Sequence, residues 1–196
     1  MLKNLVFDFG NVVVRFDPDY MVSTVTDIAE EKEILKRTVF NPITFELTDR
    51  GYVTLEKHIS TVLPEVPTAL HEKAVKLLRE WYLNLPVVSG MEELLLDAKK
   101  SGYKLFLLSN INSHFGAHRN EVQILSLFDG LVLSSDIHFI KPEPEIYLHL
   151  LSKFNLKKEE CLFIDDRQIN IDGAEAVGIK GYLFDGAEKL RDYLKL

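Results

Sequence analysis

The sequence predicts an α/β fold in which a doubly wound parallel sheet is interrupted by a small helical insertion after its first strand. The first observation is a set of five short apolar runs spread along the 196-residue chain, because strands buried on both faces read as nearly continuous apolar stretches. The second is that helical stretches alternate with the later runs, lying between the third and fourth and between the fourth and fifth, as in successive βαβ units. The third is that residues 15–86, between the first two runs, read as helical and polar, with nothing resembling a buried strand.

The predicted strands are the apolar runs themselves. The first begins at Leu5 and ends in Asp8, and the others span residues 104–110, 130–135, 161–164 and 181–184. Helices are predicted at residues 91–100, 144–154, 170–177 and 187–194. The Rossmann-like core domain is therefore predicted to comprise residues 1–14 and 87–196.

The segment from residue 15 to residue 86, called the helical insertion below, is predicted to form a second, all-helical domain. Asp17-Pro18 is typical of an N-cap followed by proline at the first helical position. Further helices are predicted at residues 30–39, from Thr54, and at residues 68–83. Helical spacing usually reflects packing, so Trp81 and Phe45 are interpreted as core aromatics rather than ligand contacts.

Composition limits the class of protein. Thirty acidic against twenty-three basic residues leave a net charge of −7, which argues against a general nucleic-acid-binding surface. No stretch approaches the ~20 apolar residues of a membrane span, and the N-terminus lacks the features of a signal peptide. We expect a cytoplasmic protein in which the single cysteine, Cys161, is a buried thiol.

Polar groups follow several of the predicted strands. Asp8 ends the first, Ser109-Asn110 the second and Asp165-Asp166 the fourth, and the third leads to a prolyl turn that presents Lys141. Each group alone could cap a helix or be solvated. In a parallel sheet, however, all carboxyl ends lie at one edge, so the groups are expected to converge.

These segments resemble the motifs of the haloacid dehalogenase superfamily, in the subgroup with a helical cap inserted after the first motif. Asp8-Phe9-Gly10-Asn11-Val12 resembles motif I and Leu107-Leu108-Ser109-Asn110 motif II. Lys141-Pro142 matches motif III and Asp165-Asp166-Arg167-Gln168-Ile169-Asn170 the DDxxxN form of motif IV. The Asp-x-Gly-Asn form of motif I also resembles that of the bacterial α-D-glucose-1-phosphatase type.

The resemblance implies a Mg²⁺-dependent phosphatase that forms an aspartyl-phosphate on Asp8. The catalytic residues would be Asp8, Ser109 and Lys141. Substrate would be bound by Asn11, Ser109, Asn110 and Lys141, and Mg²⁺ by Asp8, the Gly10 carbonyl and Asp166. Asp165 and Asn170 would orient these ligands or their waters. The implied substrate is a small phosphorylated metabolite of the sugar-phosphate class, with no nucleic-acid or membrane partner.

The chain departs from the family pattern at Gly10, where most of these phosphatases have a second Asp as general acid and base. Gly10 is also expected to let the backbone turn tightly beneath the phosphate. The missing carboxylate has three explanations: an easily displaced leaving group such as an anomeric oxygen, a substitute group from the insertion or Asn11 through a water, or a reaction that needs no proton.

Two other functions therefore stay open. A metal-independent 2-haloacid dehalogenase needs no proton for its leaving halide, but adjacent Asp165 and Asp166 beside Asp8 would repel one another without a cation. A catalytically weak member could bind a phosphorylated ligand or a protein. In the insertion, Arg50 is predicted to occupy a turn, either solvated or selecting a sugar or carboxylate group. The sequence does not indicate the physiological substrate or the oligomeric state.

Overall fold

The computed structural model describes residues 1–83 and 85–196, in which five parallel strands form one sheet in the order β3-β2-β1-β4-β5. The strands are β1 (Asn4–Phe7), β2 (Lys104–Ser109), β3 (Gly130–Leu133), β4 (Cys161–Asp165) and β5 (Lys180–Leu183). The predicted doubly wound α/β fold is confirmed. The third strand is two residues shorter than predicted, because Ser134 and Ser135 already belong to a short helix.

β1 is the central strand and determines where the site lies. Phe7 pairs with Leu107 of β2 on one side and with Ile164 of β4 on the other. The chain therefore leaves β1 in one direction and later returns to pair on its opposite side. In open α/β sheets, such a reversal of strand order leaves a crevice at the carboxyl ends of the strands.

Five α-helices between residues 15 and 86 make up most of the helical insertion. They are α1 (Pro18–Ser23), α2 (Ala29–Val39), α3 (Pro42–Asp49), α4 (Leu55–Val62) and α5 (His71–Glu80). Asp17, Asn41 and Thr54 each accept a hydrogen bond from a main-chain N–H group of the helix that follows, which fixes where α1, α3 and α4 begin. α5 ends at Glu80 rather than at residue 83, so Trp81 follows the helix.

Further α-helices accompany the remaining strands. They are α6 (Met91–Lys100), α7 (Ser113–His118), α8 (Ser134–Ile137), α9 (Pro144–Lys153), α10 (Gln168–Ala176) and α11 (Ala187–Leu194). The short helices α7 and α8 were not predicted. Both follow strands at the edge of the sheet where the crevice lies, and α8 also contacts the insertion.

Alternate residues of β1 and β4 point to opposite faces of the sheet. Leu5 and Phe7 belong to the apolar cluster that extends into the insertion, and Val6 and Phe163 to the cluster beneath α9 and α10. Cys161 is fully buried, and burial raises the pKa of its thiol to about 11. The division into two domains at residues 14 and 87 stays a prediction. No helix in the described part of the chain has the length and apolarity needed to cross a membrane.

Candidate active site

A cavity of about 250 Å³ lies at the carboxyl ends of β1, β2 and β4, where the helical insertion covers the sheet edge. Eight of the nine residues that the sequence singles out line it: Asp8, Gly10, Asn11, Ser109, Asn110, Lys141, Asp166 and Asn170. The ninth, Asp165, is fully buried behind them. The structure therefore brings the predicted residues together, while their individual roles stay predictions.

Lys141 is the cation at the centre of this cluster. Its Nζ lies 2.6 Å from Asp8 Oδ1 and 2.8 Å from Asp165 Oδ2, and the residue is 3% exposed. Burial on its own would lower the pKa of the Lys141 ammonium, but the two carboxylates outweigh burial and hold that pKa above its ordinary value. Lys141 is therefore charged at neutral pH, as neutralising a phosphoryl group requires.

Asp8 follows β1, and its carboxylate also accepts a hydrogen bond from the N–H group of Phe9 at 2.6 Å. The pKa of Asp8 is raised to about 7, because burial together with the charge of Asp165 outweighs the lowering effect of Lys141. Lys141 alone thus does not fully compensate the negative charge of the Asp8 and Asp165 carboxylates. The site has an excess of carboxylate that a further cation would balance.

The Asp165 carboxylate is already occupied by hydrogen bonds within the protein. Besides Lys141, it accepts from the N–H group of Arg167 at 2.9 Å and from Asn170 Nδ2 at 3.0 and 3.1 Å. Its two oxygens have few free lone pairs, since a carboxylate offers about four acceptor positions. Asp165 is thus placed to orient Lys141 and Asn170, whereas Asp8 and Asp166 accept fewer hydrogen bonds from the described residues.

The donor set fits a divalent cation. Asp8, Asp165 and Asp166 each offer an oxygen, and these atoms lie within 4.8 Å of one another. Three carboxylates against the single ammonium of Lys141 leave two negative charges, and Mg²⁺ prefers carboxylate, carbonyl and water oxygens. The buried Oδ1 of Asn170 has no hydrogen-bond partner within the described residues. Burial and Asp165 raise the pKa of Asp166, while Asn11 lowers it.

Ser109 and Asn110 lie where β2 ends, facing Asp8. Ser109 is buried and borders the cavity. The side chain of Asn110 is held by the main chain of Lys141: its Oδ1 accepts from the Lys141 N–H group at 2.7 Å, and its Nδ2 donates to the Lys141 carbonyl at 3.0 Å. Asn110 thus positions Lys141. Because the Asn110 side chain is engaged in these bonds, the main-chain N–H group of Asn110 is the part that can donate a hydrogen bond to a phosphate.

The loop after Asp8 differs from expectation in which residue makes the turn. Gly10 does not adopt a positive φ, whereas Asn11 has φ +58°, in the left-handed region. Asn11 accepts a hydrogen bond from the N–H group of Phe16 at 3.1 Å, which closes the loop. A Cβ atom at Gly10 would meet only the Cβ of Phe16, at 3.5 Å. The tight turn therefore does not depend on glycine at position 10.

The wall opposite the carboxylates belongs largely to the helical insertion. Phe16, Phe45 and Trp81 line the cavity there, and Phe16 makes edge-to-face contacts with the other two. The interpretation of Phe45 and Trp81 as core aromatics alone is incomplete, since they pack together and also form the cavity wall. Helical spacing signals packing, but it does not show that one side of a packed cluster faces a cavity.

Asp49, the last residue of α3, is the acidic group of this wall, and it was not among the residues predicted for the site. Its neighbour Arg50 was expected to be solvated or to meet substrate. Instead, Arg50 pairs with Glu46 at 3.3 Å and with Glu143 at 2.7 Å. An acidic residue in the turn of the insertion, together with the carboxylate missing at Gly10, is the signal that could have indicated Asp49.

Comparison with known proteins identifies the family. The model of the haloacid dehalogenase-like hydrolases matches residues 2–178. The chain therefore belongs to this family of hydrolases, as its motifs indicated.

Among curated relatives, a sesquiterpene phosphatase of Aspergillus oryzae is 27% identical over 180 residues, covering 91% of this chain and 88% of that protein. A D-ribitol-5-phosphate phosphatase of Bacteroides thetaiotaomicron is 24% identical over 190 residues, with 93% and 91% covered. These relatives are phosphatases that differ widely in the substrates their names state.

Solved structures agree on the fold. A family member from Bacteroides thetaiotaomicron superimposes with a TM-score of 0.76 at 22% identity, covering 98% of each chain. The same enzyme in complex with magnesium and inorganic phosphate gives a TM-score of 0.71 at 23% identity, with 95% and 96% covered. A dehalogenase with a bound intermediate gives 0.76 at 16% identity, covering 98% of this chain and 96% of that one. Because the fold is shared with a dehalogenase as well as with an enzyme that binds magnesium and phosphate, the fold alone does not distinguish dehalogenation from phosphate-ester hydrolysis.

Proposed function

We propose that this hydrolase is a Mg²⁺-dependent phosphatase that acts on a small phosphorylated metabolite through an aspartyl-phosphate on Asp8. The observation that carries the proposal is the cluster of three carboxylates around a single buried lysine. Metal-free dehalogenation would leave Asp165 and Asp166 beside Asp8 to repel one another without a cation. The names of the relatives and the magnesium and phosphate bound to a related enzyme support the same choice.

In the proposed first step, Asp8 attacks phosphorus, the bond to the leaving oxygen breaks, and a mixed anhydride forms on the carboxylate. Lys141 holds the Asp8 carboxylate in place, since its Nζ lies 2.6 Å from Oδ1, and it neutralises charge on the phosphoryl group. Ser109 and the N–H group of Asn110 donate hydrogen bonds to phosphate oxygens. Positioning and charge stabilisation of this kind account for most of phosphoryl-transfer catalysis.

Mg²⁺ would be held by Asp8, Asp166 and the Gly10 carbonyl, with Asp165 and Asn170 orienting them. When bound, it would neutralise the repulsion between an anionic nucleophile and an anionic substrate. The unpartnered Oδ1 of Asn170 gives a polar atom for a metal-bound water.

Turnover of 4-nitrophenyl phosphate tests the proposal directly. We expect hydrolysis in Mg²⁺ that stops in EDTA and returns when Mg²⁺ is added. Halide release from a 2-haloacid in EDTA, without phosphatase activity, would instead establish a dehalogenase. Calorimetric binding of inorganic phosphate without any turnover would establish a binding protein.

Replacing Asp166 with alanine tests the metal site. We expect the Mg²⁺ concentration at half-maximal activity to rise by about 10²-fold or more, because losing even an outer-shell partner of a metal ligand costs 10–100-fold. Calorimetric titration with Mg²⁺ should show the same loss of affinity. Asp172→Ala, an exposed change on α10, is the matched control. Unchanged Mg²⁺ dependence in Asp166→Ala would remove Asp166 from the ligand set.

The substrate class predicted from the sequence is a sugar phosphate, and the aromatic wall adds a second candidate. Phe16, Phe45 and Trp81 suit either the apolar face of a sugar ring or an apolar group next to the phosphate. A screen that compares anomeric sugar phosphates, terminal sugar phosphates and short prenyl phosphates separates these classes by kcat/KM. Preference for prenyl phosphates over all sugar phosphates would overturn the sugar assignment.

A further inference from the structure

Asp49 is a carboxylate of the cavity wall that the mechanism above does not use. It lines the same cavity as Asp8, Ser109 and Lys141. Among the described residues, none donates a hydrogen bond to its carboxylate. An ionised carboxylate without a partner in such a setting costs free energy, and the group avoids part of this cost by holding its proton.

The main chain at Asp49 and just after it is fixed to the core. Ser134 Oγ of α8 donates a hydrogen bond to the Asp49 carbonyl at 2.5 Å. Ser134 Oγ also accepts a hydrogen bond from the N–H group of Ile111 at 2.8 Å. Two residues after Asp49, the backbone of Gly51 approaches Ser135 so closely that a Cβ atom would lie 2.4 Å from its carbonyl oxygen. Asp49 is thus placed by contacts with the segments that follow β2 and β3.

Arg50 fixes the same turn from a second direction. Its guanidinium lies 2.7 Å from the carboxylate of Glu143, in the prolyl turn that presents Lys141. Its carbonyl oxygen lies 2.7 Å from His138 Nδ1, and the His138 ring stacks on Tyr52. The turn that carries Asp49 and the turn that carries Lys141 are therefore joined directly.

Gly10 leaves the site without the acid that the family usually places there. Gly10 lines the cavity, and a Cβ atom at this position would meet only the Cβ of Phe16, at an ordinary contact distance. The leaving oxygen of the phosphate ester that Asp8 attacks must receive a proton from some group unless it departs easily. Asp49 is the carboxylic acid that the insertion brings to that cavity.

We propose that Asp49 is the proton donor to the leaving oxygen and replaces the carboxylate that Gly10 lacks. The inference rests on the proposed phosphatase function. In the first step, the bond between phosphorus and the leaving oxygen breaks as Asp8 attacks, and the Asp49 proton passes to that oxygen, giving an alcohol and the Asp49 carboxylate. In the second step, water attacks the phosphorus of the aspartyl-phosphate. Its proton passes to Asp49, the bond to Asp8 breaks, and phosphate leaves.

The charges around Asp49 favour the acid form near neutrality. Burial, together with the charges of Glu46 on its own helix and of Asp8 across the cavity, raises the pKa of Asp49 to about 7 against the lowering effect of Lys141. Two further charged groups near this turn, Arg50 and Glu143, are paired with each other, and Asp166 and Arg167 also line the cavity. A general acid works best when its pKa lies near the working pH. Because the donor must be protonated, its contribution is present at acidic pH and is lost as the pH rises through the pKa.

Two esters of nearly the same shape separate proton donation from binding. The leaving group of 4-nitrophenyl phosphate departs as a stable phenolate, whereas 4-nitrobenzyl phosphate releases a basic alkoxide that needs a proton. In single-turnover experiments with Mg²⁺, we expect Asp49→Asn to slow release from the benzyl ester by about 10²–10⁴-fold, and release from the phenyl ester by less than about tenfold. Equal losses on both esters, or no loss on the benzyl ester, would overturn the assignment.

Asp19→Asn is the matched control, since Asp19 is an exposed residue of α1 paired with Lys36, and it should leave the ratio of the two rates unchanged. In the Asp49→Asn background, Gly10→Asp should restore release from the benzyl ester selectively. If wild type releases neither group in Mg²⁺, the phosphatase proposal itself fails. If wild type is active and the ester ratio does not respond to Asp49→Asn, only the role of Asp49 fails.

The pH profile gives a second readout. Wild-type release from the benzyl ester should fall as the pH rises through the Asp49 pKa, and Glu46→Gln should move this fall to lower pH because it removes a neighbouring negative charge. The fall should be absent in Asp49→Asn. A fall that persists unchanged in Asp49→Asn would assign it to another group and overturn the proposal.

Discussion

Asp8→Asn is expected to abolish turnover of every substrate, with a loss on the order of 10⁴–10⁶-fold in kcat. An amide cannot form the mixed anhydride, and the proposed role of Asp166 as a Mg²⁺ ligand keeps that carboxylate from replacing Asp8. Asp165 is buried and occupied by hydrogen bonds from Lys141, Arg167 and Asn170. The measurement is hydrolysis of 4-nitrophenyl phosphate at saturating Mg²⁺.

The fold should survive this change, because Lys141 keeps Asp165 as a partner at 2.8 Å. Circular dichroism checks the fold, and mass spectrometry checks that the introduced asparagine has not deamidated back to aspartate. Asp172→Asn is the control for loss of an exposed carboxylate. Retention of more than about a hundredth of the wild-type rate by verified Asp8→Asn would exclude Asp8 as the nucleophile.

Lys141→Met is expected to have the largest effect on stability as well as removing activity. Truncating one partner of a buried ion pair costs about 3–5 kcal/mol, which for a chain of this size lowers Tm by about 6–20 °C. The methionine fills a similar volume but leaves Asp8 and Asp165 facing each other without a cation. Thermal unfolding in EDTA at pH 8 measures the effect.

The pH dependence of that loss has a definite sign. The pKa of Asp8 is raised from 3.8 to about 7 even with Lys141 present, so its ionisation already costs the folded protein stability as the pH rises through this window. Without Lys141 the pKa rises further, and the cost grows. The difference in Tm between wild type and Lys141→Met should therefore be smallest near pH 5 and largest at pH 8.

Lys189→Met, which breaks the exposed pair with Asp185, should change Tm little at either pH, because exposed pairs contribute little. Addition of Mg²⁺ should recover part of the stability of Lys141→Met at pH 8. A Tm for Lys141→Met within about 2 °C of wild type at pH 8 is well short of the expected loss. It would contradict the claim that Lys141 stabilises the fold by compensating the buried carboxylates of Asp8 and Asp165.

Much of the fold follows from local pattern. The apolar runs that form β1, β2, β4 and β5 are bounded by polar and small residues. The length of each run therefore located its strand within one or two residues. Because parallel strands end at one edge, the order of the runs was enough to bring Asp8, Ser109, Lys141 and Asp166 to one cavity. The extent of β3 was predicted less well, since Ser134 and Ser135 look the same at the end of a strand and at the start of a helix.

Local sequence patterns do not show that Asp49 lies in the cavity. Its approach to Asp8 depends on how the insertion sits on the sheet, which is decided by contacts between residues far apart in sequence, such as Ser134 with Asp49 and Arg50 with Glu143. No pattern among neighbouring residues of the sequence indicates either contact. The same reason explains Phe45 and Trp81, whose spacing shows that they are packed but not that their cluster borders a cavity.

Glu143 accepts from Arg50 of the insertion and, through its other oxygen, from the N–H group of Ile140, which directly precedes Lys141. One carboxylate therefore ties the arrangement of the insertion to the arrangement of the lysine. A substrate too large for the insertion to seat fully would pull Arg50 from Glu143 and loosen the turn behind Lys141. Oversized phosphate esters are thus expected to bind through their phosphate and react slowly, so that discrimination by size is expressed in kcat more than in KM.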